Sequence, residues 1–192
     1  MILYCATSNP GKLREFRRAA RTPWTIEPLP DLASVPAPEE TGATFEENAL
    51  AKARYYAQFG GVKPVFAEDS GLEVDALAGA PGVYSARFAG AEANDAANND
   101  LLLDRLRDAA DRRARYVAVI ALVMPGEAPR TFRGTVEGEI LRAPRGTGGF
   151  GYDPLFYYPA LDATFGEVPV EMKQTVSHRG RAVAAMMEFL GR

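Results

Sequence analysis

The residues best equipped for chemistry in this chain are carboxylates that come in adjacent pairs: Glu39 and Glu40 in a proline-rich connection, Glu46 and Glu47 at a helix start, and Glu68 and Asp69 in the stretch VFAEDSGLEV. Oxygen ligands of this kind suit Mg²⁺, a hard cation that keeps several waters and is shared between one or two carboxylates and substrate phosphates. Glu46 and Glu47 have a simpler explanation, since acids in a first helical turn complement the helix dipole. Asp69 has none. A carboxylate at the end of an apolar strand, followed by Ser70 and Gly71, is costly to bury unless a metal, a lysine or solvent answers it. Glu68 is expected on the opposite side of the strand, because successive side chains alternate.

The basic residues point to what those acids work on. The chain has 18 arginines and only four lysines, Lys12, Lys52, Lys63 and Lys173, so each lysine is a candidate for a role that wants a compact point charge, such as reaching a phosphate. Lys12 closes the stretch TSNPGK, in which Thr7, Ser8 and Asn9 supply two hydroxyls and an amide, and Pro10 and Gly11 shape a loop before a helix. Backbone N–H groups and the dipole at such a terminus favour an anion. The stretch lacks the G-x-x-x-x-G-K-[ST] pattern of a Walker loop, and taken alone an ordinary capped turn accounts for it equally well.

Two later stretches could hold a flat organic group. GTGGFGYDPLF packs four glycines into six residues around Phe150, Gly151, Tyr152 and Asp153. Such a loop permits positive φ angles and close approach of backbone to a ligand, while the rings could stack on a heterocycle. A hairpin tip with its aromatics folded into the core is the plain alternative, especially for Phe156 and Tyr157. MKQTVSHRGRA brings Lys173, the single histidine His178, and Arg179 to a helix start. No Ser/His/Asp or Cys/His arrangement is readable there, so binding rather than nucleophilic catalysis is the expected role.

The elements that must position these residues alternate between strand and helix. MILYCAT reads as a buried strand, LREFRRAAR as a helix, and residues 22–42, with five prolines, as an extended connection holding one short strand. TFEENALAKARYYAQFG is the clearest helix, with Thr44 as cap, Glu47 three residues on, and Gly60 as its stop. VKPVFAEDSG reads as a strand running into a turn at its acidic end, and residues 72–90 as a compact loop region. NDAANNDLLLDRLRDA carries a leucine stripe at helical spacing. RYVAVIALVM and RTFRGTVEGEIL are two adjacent strands, residues 143–159 a glycine-dense loop, and SHRGRAVAAMMEFLGR a closing helix capped by Ser177. Alternation argues for α/β, and the adjacent strands argue for a mixed, twisted central sheet with flanking helices. Sheets of this kind take ligands where strands give way to loops.

Bulk properties narrow the function further. At 192 residues, with 47% hydrophobic and 24% charged residues and a net charge of -3, the chain suits one globular domain, residues 1–192, rather than a disordered or membrane protein. The acidic balance argues against broad nucleic-acid affinity. No stretch approaches the ~18 apolar residues of a membrane span. The single cysteine, Cys5, lies in an apolar run as a buried thiol, and a cytoplasmic location is expected.

With ATSNPGK, ETGATFEENALAKA, AEDSGLEVDALAGAPGVYSARFAG, GTGGFGYDPLF and SHRGRA in this order, the chain resembles the non-canonical purine nucleoside triphosphate pyrophosphatases of the inosine or xanthosine triphosphatase type, over nearly its whole length. The resemblance implies two lobes around a nucleotide-binding cleft, a homodimer, Mg²⁺ dependence, and hydrolysis of ITP, dITP or XTP to the monophosphate and pyrophosphate. It implies that Thr7 to Lys12 and Lys52 bind the triphosphate, and that Asp69 is proton acceptor and metal ligand with Ser70 beside it. A glutamate of the EETG block, Glu39 or Glu40, would be the other metal ligand, with Glu68 a further candidate. Phe150 to Asp153, Lys173, His178 and Arg179 match nucleoside-binding positions, and Arg179 with amides near Phe150 would donate to a 6-oxo group. The three ammonium groups of Lys12, Lys52 and Lys173 are expected to converge on one polyphosphate. Ser8 stands where many members carry glycine, and Glu68 where others carry aspartate. The rival readings are a pyrophosphatase for another modified nucleotide class and a nucleotide sensor without turnover.

Overall fold

The apolar run at the N-terminus forms β1 (Ile2–Cys5), and Pro10 opens α1 (Pro10–Ala19), where its fixed φ suits a first helical position. Asn9 caps that helix by accepting the Lys12 N–H at 3.0 Å. The proline-rich connection contributes β2 (Thr25–Pro28) before α2 (Phe45–Ala57), whose Thr44 and Glu47 form the reciprocal capping box expected from their spacing. These features belong to a computed structural model in which residues 1–92 and 94–192 are described.

β3 (Val65–Val74) departs from the sequence reading. Ser70 and Gly71 do not turn the chain; the strand continues past them, because Leu72 and Val74 are fully buried beyond the acidic pair. Serine and glycine are weak strand formers, and here packing of the flanking side chains overrides local preference. α3 (Asp95–Arg105) carries the leucine stripe, followed by the long strands β4 (Arg113–Val123) and β5 (Arg130–Ile140). The glycine-dense loop ends in β6 (Phe156–Tyr158) and β7 (Ala163–Thr164), two short strands that the sequence pattern does not announce. α4 (Val170–Val176) and α5 (His178–Leu190) close the chain, with Ser177 between them. The separate short helix α4 is likewise absent from the sequence reading.

The sheet order is β2-β1-β3-β4-β5-β6-β7. β1 pairs in parallel with β2 and β3, whereas β5–β6 and β6–β7 are antiparallel, so the sheet is mixed as the adjacent late strands imply. The chain divides into two compact units. One comprises Met1–Asp69, Ala118–Gly134 and His178–Arg192, and the other Ser70–Val117 and Thr135–Ser177. Each has its own apolar core. In the first, Phe16 and Phe66 meet edge to face at 5.1 Å among Leu3, Ile26, Ile120 and Met186. In the second, Tyr116, Phe156 and Phe165 cluster with Leu72, Leu102 and Leu155.

Gly134 of β5 sets a close approach within the first unit. A Cβ there would lie 2.0 Å from the His178 carbonyl oxygen and 2.6 Å from the Ala182 nitrogen. The backbones of β5 and the first turn of α5 therefore touch, and only glycine permits it. Cys5 is 1% exposed, and burial pushes its thiol well above its ordinary range, as expected of an inert core residue. Among the described residues, no helix is long and apolar enough to cross a membrane.

Candidate active site

Alternation along β3 sends Glu68 and Asp69 into different surroundings, although both are less than a tenth exposed. Asp69 meets α2. Its Oδ2 accepts from Asn48 Nδ2 at 3.1 Å and its Oδ1 from Lys52 Nζ at 3.1 Å. Asn48 and Lys52 are one helical turn apart and so share a face. The same Lys52 ammonium donates to Glu40 Oε1 at 3.0 Å, so two carboxylates bracket one cation. Asn48 is fixed in turn, since its Oδ1 accepts the Gly42 N–H at 2.8 Å. A Cβ on Gly42 would sit 2.6 Å from that oxygen, so glycine is what lets the EETG segment dock on α2.

Burial raises the Asp69 carboxyl above its ordinary value, and Glu40 adds to this, while Lys52 and Asn48 offset only part of it. Burial pulls Lys52 the opposite way, but Asp69 and Glu40 outweigh it and hold the group as ammonium. This is an aspartate with an elevated proton affinity beside a retained positive charge.

Glu68 is enclosed differently. Arg179 Nε donates to its Oε1 at 2.9 Å, and Lys12 Nζ lies 2.8 Å from Oε2, an ion pair in which that oxygen lacks a well-directed hydrogen bond. Arg179 also reaches Glu15 Oε2 at 2.7 Å through Nη1. Burial pushes the Glu68 carboxyl up, yet Arg179 and Lys12 more than reverse this and hold it far below the usual carboxylate range. His178 adds a smaller effect of the same sign. Glu68 is thus the anion of a closed network rather than an open ligand.

In the stretch from Thr7 to Lys12, Asn9 N–H donates to Thr7 Oγ1 at 3.2 Å. Ser8, Asn9 and Pro10 are exposed there, while Thr7, Gly11 and Lys12 are half-buried. Glu39 is exposed, and among the described residues no contact links it to Asp69, so it is Glu40 that the structure brings to the acid–lysine cluster.

The glycine-dense loop builds a second cluster, within the other unit. Asp153 Oδ2 accepts both the Phe150 N–H at 2.9 Å and Lys173 Nζ at 2.5 Å, all but sealed from solvent. The Lys173 ammonium lies 5.0 Å from the centre of the Phe150 ring, within cation–π range. Gly149, at φ +76°, passes so near Asp153 that a Cβ would overlap its carboxylate. Tyr152 is buried, its hydroxyl donating to Ser85 O at 2.8 Å, so its ring serves the core while Phe150 stays half-buried. Ser70 begins this second unit, half-buried.

The structure therefore gathers Lys12, Lys52, Glu40, Glu68, Asp69, His178 and Arg179 in the first unit, and Phe150, Gly151, Tyr152, Asp153 and Lys173 in the second. Lys173 is committed to Asp153. Sequence reasoning missed Asn48, Gly42 and Glu15. Asn48 was signalled by its four-residue spacing from Lys52, and Glu15 by its three-residue spacing from Lys12 on an arginine-rich helix.

Whether the acids suit a cation can be judged from Lys52. Its ammonium sits about equally far from Glu40 and Asp69, occupying a point where two carboxylate oxygens already converge. Among the described residues no group of three or more His, Cys, Asp or Glu side chains is placed to hold a metal. Two carboxylates without a full protein cage fit Mg²⁺, which completes its shell with water and phosphate oxygens.

A mixed sheet with flanking helices and a buried acid–lysine cluster defines an α/β protein with charged groups gathered beside a buried strand. Residues 3–189 match the model of the Ham1 family, and the chain belongs to that family. It is 50% identical to the dITP/XTP pyrophosphatase of Acidobacterium capsulatum, over 99% of this chain and 98% of that one. It is 51% identical to a dITP/XTP pyrophosphatase of Thermus thermophilus, over 98% of this chain and 91% of that one. Among solved structures, the Staphylococcus aureus Ham1 protein superposes with a TM-score of 0.90 at 42% identity, covering all of this chain and 98% of that one. The HAM1 protein of Coxiella burnetii gives the same values.

Proposed function

We propose that this Ham1-family enzyme hydrolyses dITP, ITP and XTP to the nucleoside monophosphate and pyrophosphate, in the cytoplasm and as a homodimer. The observation that carries the reading is the Asp69–Lys52–Glu40 bracket, in which a raised carboxyl and a retained ammonium lie side by side. Full-length relatives at about half identity, named dITP/XTP pyrophosphatases, support the substrate class.

Glu40 and Asp69 would hold Mg²⁺, which when bound supplies charge neutralisation at the phosphates and an acidified water. Asp69 accepts the proton of the water that attacks the α-phosphorus, and its raised proton affinity suits a general base. Asn48 fixes the carboxylate through Oδ2, leaving Oδ1 toward Lys52. Lys12 and Lys52 take up the charge of the triphosphate, and the Asn9-capped start of α1 holds its oxygens. Glu68 and Glu15 hold Arg179 in place. Phe150 offers a ring face to the purine, with Asp153 and Lys173 fixing the loop. Backbone amide donors near Phe150 favour a 6-oxo base, since adenine would leave a buried donor unpaired at about 1–3 kcal/mol.

The test is pyrophosphate release from ITP, dITP, XTP, GTP and ATP, with Mg²⁺ and with a chelator. Turnover of the first three that is lost on chelation is expected. Equal turnover of ATP would refute the base assignment, and release of orthophosphate alone would refute the bond assignment. Light scattering of the pure protein checks the dimer.

A further inference from the structure

The Phe150 loop is gripped from a helix that neither the sequence reading nor the base contacts above assign to recognition. Asp95 and Asn99 lie one turn apart at the start of α3 and so on one face. Both reach Gly151. Asp95 Oδ2 accepts the Gly151 N–H at 2.6 Å, and Asn99 Nδ2 donates to the Gly151 carbonyl at 3.1 Å. The two polar groups of one backbone residue are thus held by two side chains of one helix. Gly151 has φ +63°, a conformation that other residues rarely adopt, and a Cβ there would meet nothing within 4 Å. Space does not dictate that conformation; the two hydrogen bonds hold it.

On the other side, Phe150 N–H is fixed by Asp153. The Phe150–Gly151 segment is therefore held from Phe150 N–H to the Gly151 carbonyl, with the Phe150 ring beside Lys173. Asn99 makes this contact at a cost, for its Oδ1 is buried without a hydrogen-bond partner among the described residues. A buried acceptor left unmatched offsets what the amide contributes to folding. Its clearest effect is the placement of Gly151.

We infer that Asp95 and Asn99 are positioning residues for base recognition: by clamping Gly151 they hold the Phe150 ring at the orientation in which it receives a purine. This rests on the reading of Phe150 as the base platform. The clamp acts on affinity and base choice, remote from the reacting phosphorus.

The test combines steady-state kinetics with amide exchange on full-length Asp95→Ala, Asn99→Ala and Asp95→Asn variants. Each alanine variant is expected to raise KM for dITP about five- to tenfold, as loss of one hydrogen bond would. kcat should stay within about twofold and melting should be nearly unchanged. Asp95→Asn keeps an acceptor oxygen and should rescue most of the affinity. In a Phe150→Ala background, Asn99→Ala should add nothing further, because the ring it positions is gone. An unchanged KM, or a full additional rise in the Phe150→Ala background, overturns the proposal. Exchange of the Gly151 amide, read by NMR, separates this from the functional reading. If the wild type turns over no purine triphosphate, the proposed function fails, and the clamp is judged by exchange alone. Faster exchange in Asp95→Ala supports the clamp, and equal exchange overturns it.

Discussion

Glu68 and Asp69 are neighbours on one strand, share a burial of less than a tenth exposed, and carry the same functional group, yet their surroundings push them in opposite directions. Glu68 faces two cations, one of them a guanidinium that is itself held by a second glutamate. Asp69 faces one lysine, shared with Glu40, and an uncharged amide. The difference teaches that burial alone does not decide what a carboxylate is for. A carboxylate saturated with permanent positive charge has no proton affinity left to offer, and it serves as structure. One whose burial is only partly answered keeps that affinity and can act as a base.

The sharpest way to break this contrast is Glu68→Gln. Removing the anion takes from buried Arg179 one of the two carboxylates that pair with it among the described residues, and breaking one partner of a buried pair costs about 3–5 kcal/mol. Denaturant unfolding should show that loss. Asp69→Asn should do the reverse. Its melting temperature should hold, since a carboxyl disfavoured by burial is removed, while pyrophosphate release falls on the order of 10²-fold or more. Native-like turnover in that variant would take Asp69 out of the reaction.

Acid sharpens the same contrast. Glu68, held below its ordinary value of 4.5, stabilises the fold fully above that pH and loses its contribution as pH falls toward its depressed folded value. Asp69, raised above 3.8, is neutral for stability in acid and costs stability as pH rises through its folded value. Unfolding free energy between pH 7 and pH 3 should therefore drop less in Glu68→Gln than in the wild type, and more in Asp69→Asn. The smallest effect is expected from Gly42→Ala. Its Cβ would displace the Asn48 amide, loosening Asp69 without removing it, and kcat/KM should fall about fivefold. A Gly42→Ala variant with native kinetics would show that Asn48 does not position the base.

Much of this site was legible in the sequence because its chemistry is carried by rare or clustered residues. Four lysines in the chain made Lys12 and Lys52 conspicuous, and Thr44 with Glu47 announced a helix start that the capping box realises. The α/β class and the mixed sheet followed from the order of elements. What stayed hidden depends on tertiary packing. Ser70 and Gly71 speak locally for a turn, and only the burial of Leu72 and Val74 carries the strand on. β6 and β7 are too short to show a period. Asn48 is one amide among many polar residues, and its four-residue spacing from Lys52 gains meaning only from its contacts with Asp69 and Gly42. Which of Glu39 and Glu40 reaches Lys52 is not legible in an adjacent pair, since it depends on how the segment docks on α2, and it is Glu40 that does.

Gly134 carries no functional group, yet the hydrogen standing in place of its side chain is the spacer between a strand and the helix end from which Arg179 projects. Widening that spacer by one methyl would lever the guanidinium away from both its carboxylates at once. Tuning this enzyme could therefore proceed through the gap between two backbones, without exchanging any residue that carries charge.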